Sequence, residues 1–128
     1  MKVTVCELRN DAVGLEQDWP ALVGHVRSEK SELVLLPEMA FYPWLAGTNH
    51  INPELWHEAV RAHDIWMDRL TELAAPIVIG TRPVIQNKKR LNQGYIWQSE
   101  SGCSPVHAKY YLPDEKGYWE LPRRSSLF

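Results

Sequence analysis

The chain has little cysteine, no surplus of either charge and no long apolar run. Its two cysteines, Cys6 and Cys103, are too few for a disulfide framework and form no CxxC pair, which excludes a disulfide-stapled scaffold and a thiolate metal centre. The 14 basic side chains stand against 16 acidic ones, for a net charge of −2. A nucleic-acid module would instead show a basic face. No apolar stretch approaches the roughly 20 residues of a membrane span, and Lys2 and Glu7 interrupt the N-terminus too early for a signal peptide. No GxxxxGK or GxGxxG phosphate loop is present. His50, His57 and His63 have no acid to complete a metal site. His57 and His63 fall on different faces of one helix, and His63 fits its apolar stripe as a core histidine. The expectation is a cytoplasmic, single-domain α/β protein with reduced thiols and with no metal, cofactor, nucleic-acid or membrane partner.

Six tryptophans and nine prolines are many for 128 residues. Tryptophan is costly to expose and its N–H needs a partner, so such residues mark cores, pockets or interfaces.

Val3 to Leu8 reads as a strand closed by the turn formers Asn10 and Asp11. Leu15, Trp19, Leu22, Val23 and Val26 follow at helical spacing. Because proline lacks an N–H and crowds the preceding turn, the helix is expected to start near Asp18, with Pro20 in its first turn, and to end near Ser31. Leu33 to Leu36 is a short unbroken apolar run, the mark of a strand covered on both faces. A second helix is expected from Pro53, after Asn52, to about Leu73. Its stripe is Trp56, Ala59, Val60, His63, Met67 and Leu70. Ile77 to Gly80 reads as a third strand and Gln86 to Arg90 as a polar loop. Gly94 to Trp97 and Val106 to Tyr111 read as a hairpin about Ser99–Gly102. The order β-α-β-α-β-β-β implies a sheet with both helices on one face. No helix remains to cover the other face, which should expose an apolar patch and lead to self-association or poor solubility.

Three charged residues stand out by position. Glu38 follows a buried strand, where open α/β sheets bind ligands, although a lone acid there can simply face solvent. Lys109 lies in the last strand, where lysine also serves to discourage edge aggregation. Glu120 closes the Pro- and aromatic-rich segment after it. Phe41, Tyr42 and Trp44, in the loop after Glu38, can be core or pocket lining.

The combination is more specific than its parts. Leu36-Pro37-Glu38-Met39 with Phe41, Tyr42, Pro43 and Trp44, then Gly80-Thr81-Arg82-Pro83, then Lys109-Tyr110-Tyr111-Leu112-Pro113 through Glu120, resembles the carbon–nitrogen hydrolases of the nitrilase superfamily. The resemblance runs from Lys2 to about Glu120. It implies the N-terminal part of a four-layer α-β-β-α sandwich, present here as one truncated domain over 1–128. It also implies hydrolysis of a non-peptide C–N bond in a small amide or nitrile. By residue, Glu38 matches the general base, Lys109 the oxyanion stabiliser and Glu120, ahead of Glu115, an auxiliary carboxylate, with Phe41, Tyr42 and Trp44 beside the substrate. Family members often pair through their helical layers, so a homo-oligomer or pairing with a full-length homologue is expected.

One element of the pattern is missing. The family's nucleophilic cysteine stands on a strand-to-helix turn well beyond the lysine, and the residues after Lys109 contain no cysteine. Cys6 sits in the first strand as a small core residue, and Cys103 precedes Lys109 in a hairpin turn. The expectation is a chain inactive alone, or a non-catalytic remnant or interaction module that docks on a homologous partner.

Overall fold

The computed structural model of the chain describes residues 1–43 and 53–110, the last two by backbone alone. Five strands form one mixed sheet in sequence order: β1 (Val3–Val5), β2 (Leu33–Leu35), β3 (Ile77–Gln86), β4 (Lys89–Gln98) and β5 (Gly102–Tyr110). The first three are parallel, in the register Thr4–Val34–Val78, and the last three antiparallel. Two helices, α1 (Ala12–Glu29) and α2 (Pro53–Met67), link the parallel strands, and a short 3₁₀ turn, Leu70–Leu73, follows α2. Neither helix is long and apolar enough to cross a membrane.

The α1 helix starts a full turn and more before the expected point. The Asp11 carboxylate caps it by accepting from the Gly14 N–H at 2.9 Å, and a Cβ on Gly14 would meet Arg9 at 2.7 Å. Pro20 therefore lies inside the helix, at a local cost of about 3 kcal/mol. Burial of Leu15, Trp19, Leu22 and Val26 along one stripe outweighs it, since each large apolar side chain contributes about 1.5–3 kcal/mol. Asp18, freed from capping, accepts from the Arg9 backbone at 2.8 Å and pairs with its guanidinium at 2.8 Å.

The core lies between the helices and one face of the sheet. Trp19 meets Trp66 edge-on at 5.2 Å, and Phe41 stacks on Trp66 at 5.3 Å. The Trp19 N–H donates to Glu72 at 2.9 Å. Val34, Val78, Tyr95 and Trp97 complete the cluster from the strands. Tyr95 lies so close over Gly80 that a Cβ there would stand 2.6 Å from its hydroxyl. Strand alternation puts Val3, Val5, Leu33, Leu35, Ile77, Ile79, Ile85 and Ile96 on the other face. There Val5 is 73% exposed and Val3 44%.

Two strands run longer than their apolar cores. Gln86 to Arg90, expected as a loop, is instead the end of β3, a two-residue turn and the start of β4. Asn87 and Lys88 both take left-handed backbone, φ 51° and 64°, as a type I′ hairpin turn requires. Beyond Ile79, β3 continues past the last residue of β2, so its polar alternation carries no buried-strand signature.

Candidate functional site

Glu38 stands in the turn after β2, and the sequence anchors that turn on both sides. The Met39 N–H donates to Thr81 Oγ1 at 2.8 Å. The Met39 side chain is buried with Trp56 and Ala59, and the Trp56 indole donates to the Val84 carbonyl at 3.2 Å. Met39 takes φ 44°, an uphill conformation for a side chain with a Cβ and one that persists only where its surroundings hold it.

His63 supplies the next anchor. Its Nε2 accepts from the Phe41 N–H at 3.2 Å, and its Nδ1 contacts the Ala59 carbonyl at 2.8 Å. A carbonyl only accepts and an N–H only donates, so the ring is neutral with its proton on Nδ1. Burial, aided by the Arg82 charge, holds its pKa down at about 4. This is the core histidine that the α2 stripe implied.

Held this way, the exposed Glu38 meets the sheet. The Asn92 amide Nδ2 donates to Glu38 Oε2 at 2.8 Å. Asn92 is 1% exposed and sits in β4 between Pro83 of β3 and Lys109 of β5, directly opposite each in register. Glu38, through its hydrogen bond, and the backbone of Lys109, through strand pairing, both neighbour the one residue Asn92. Sequence reasoning missed Asn92, because the strand pattern was read only from Gly94 onward and a lone polar residue before it carries no signal of its own.

The aromatic residues after Glu38 take different places. Phe41 is packed in the core beside Trp66. Tyr42 is half-buried, and its hydroxyl donates to Glu58 at 2.6 Å, which raises its pKa. Trp44, Glu115 and Glu120 lie outside the described residues, as does the expected cap Asn52.

Neither thiol belongs to this arrangement. Cys6 and Cys103 both pack against the helix-side core, whereas Asn92 alternates to the opposite face of the sheet. Burial pushes the Cys6 thiol up to about 11 and raises that of Cys103, the reverse of what an activated nucleophile needs. Cys103 also stands about 20 Å along β5 from Lys109, at the usual rise per strand residue. Among the described residues no group of three or more His, Cys, Asp or Glu is placed to hold a metal ion.

Chemically, the arrangement offers a carboxylate on a rigid turn, a buried amide that orients it and a lysine position beside them. A carboxylate held this way can accept and release a proton. Compared with protein-family models and with curated proteins, the chain matches none.

Proposed function

We propose that this chain carries the acid and the amine of a carbon–nitrogen hydrolase site of the nitrilase type, acting on a small amide or nitrile. The observation that supports it best is the hydrogen bond from Asn92 to Glu38 at a strand position directly opposite Lys109. In this reading Glu38 takes the proton of an attacking thiol and passes it to the leaving ammonia of an amide, then takes a proton from the water that hydrolyses the thioester and returns it to the departing thiolate. The Lys109 ammonium stabilises the oxyanion of each tetrahedral intermediate, an effect worth about 2.7–4 kcal/mol in other acyl-transfer sites. Glu120 assists as an auxiliary carboxylate. Tyr42 and Trp44 border the substrate, with Phe41 behind them.

The thiol comes from a strand-to-helix turn outside these 128 residues, because Cys6 and Cys103 are protonated and face the other side of the sheet. The segment that carries it brings a second sheet against the exposed Val3 and Val5 face, completing a four-layer α-β-β-α sandwich, and the assembly pairs with a second copy through its helices. The same exposed face favours a second reading, in which the chain is a non-catalytic module docked on a homologous partner.

Mixing the purified chain with a companion fragment that bears the strand and cysteine turn separates the two. The hydrolase reading expects ammonia release from short amides only in the mixture, falling at least about 10²-fold in Glu38→Gln and in Lys109→Ala. A complex that binds but stays silent, or activity indifferent to both substitutions, contradicts it.

A further inference from the structure

Asn92 is buried to 1% exposure, yet only half of its amide is accounted for. Its Nδ2 donates to Glu38, while its Oδ1 is out of contact with solvent and has no hydrogen-bond partner among the described residues. The orientation of the amide is fixed chemically. A carboxylate only accepts, so the NH₂ must face Glu38 and the oxygen must face away. A buried acceptor left unmade costs about 1–3 kcal/mol, so this oxygen calls for a donor. Without solvent access, that donor is a neighbouring group of the protein or a trapped water.

The residue directly opposite Asn92 on β5 is Lys109. Directly opposed strand residues hold their β-carbons about 4.5–5.5 Å apart, well within reach of a lysine, whose ammonium has three donors and no acceptor. We propose that Asn92 is a positioning residue, holding Glu38 through its NH₂ and the Lys109 ammonium through its oxygen, so that acid and amine keep a fixed separation. The inference rests on the hydrolase reading for its purpose, but the bridge itself is a structural claim testable without any reaction. Chemically, an amide suits this place better than a carboxylate. It donates to one charged group and accepts from the other, whereas an aspartate would repel Glu38.

The test has two arms. In the chain alone, the side-chain amide protons of Asn92 are followed by NMR. Both Glu38→Gln and Lys109→Met should move them, the first through the NH₂ and the second through the oxygen. An Asn92 resonance indifferent to Lys109→Met overturns the bridge. In the chain completed by the cysteine-bearing fragment, Asn92→Asp should lower kcat about 10²-fold, the scale of a misplaced catalytic group. KM should stay near its original value and the acid limb of the pH profile should shift. If Glu38→Gln abolishes hydrolysis but Asn92→Asp does not, the positioning role is overturned and the hydrolase reading stands. If the resonances respond to both substitutions but no variant affects turnover, the bridge stands and the hydrolase reading fails.

Discussion

On the helix side of the sheet, Val34, Val78, Tyr95 and Trp97 are buried under α1 and α2. On the other side, Val3 and Val5 are exposed although their residue type is the same. The helix side holds the main buried cluster, while on the other side Leu33, Leu35, Ile77, Ile79 and Ile96 are half-buried and Val3 and Val5 at the β1 edge are exposed. The second face also changes along its length. Over β1 it is apolar and exposed, and where β3 passes β2 it holds Pro83 and Asn92, both buried, with Glu38 bonded to the latter. Stability is concentrated on one face and candidate chemistry on the other.

That division can be broken most sharply in the core. Trp19→Ala removes a fully buried ring and its hydrogen bond to Glu72. Unfolding in urea should show a loss of about 3–5 kcal/mol, and a loss under 1 kcal/mol would mean that the helix side is not the main source of stability.

Acid should attack the same side through His63. Its folded pKa of about 4 lies below the ordinary value of 6.5, so between those two values the unfolded chain binds more protons than the folded one. Stability from this group is complete above pH 6.5 and falls as pH drops, by about 3 kcal/mol at pH 4. Urea unfolding of the chain and of His63→Gln at pH 7 and pH 4 isolates the effect. The variant should lack that part of the pH dependence, and equal slopes would contradict the assignment.

Gly80→Ala is a smaller probe, because the new methyl would press on the Tyr95 ring. Overpacking of this kind costs about 1–3 kcal/mol, read as a lower urea midpoint. The opposite face should respond least. Val3→Lys with Val5→Lys, on an edge strand where lysine is well tolerated, should change stability by under about 0.5 kcal/mol. The double variant should also abolish binding of a hydrophobic dye and any self-association seen by gel filtration. A large loss of stability there would erase the contrast between the faces.

Much of this was legible in the sequence because burial leaves a pattern. Leu33 to Leu35 and Ile77 to Ile79 are unbroken apolar runs whose residues are all buried or half-buried, and the α2 stripe from Trp56 to Met67 marks one buried side. Pro20 misled because its penalty is local, whereas the burial that overrides it depends on contacts with α2 and the sheet. The outer parts of β3 and β4 were hidden because Arg82 to Arg90 follow no apolar alternation, and the two-residue turn at Asn87 and Lys88 uses left-handed backbone without a glycine. Glu38 could be singled out by its place after a buried strand. Asn92 could not, since its importance depends on a carboxylate and a lysine that only the folded register brings alongside it.

The most direct measurement is the separation between the Glu38 carboxylate and the Lys109 ammonium in a crystal structure of the chain. A separation of about 4–6 Å, the reach of a close charge pair, is expected, with the Asn92 amide between them. Two side chains turned toward opposite surfaces, or held more than about twice that distance apart, would contradict it.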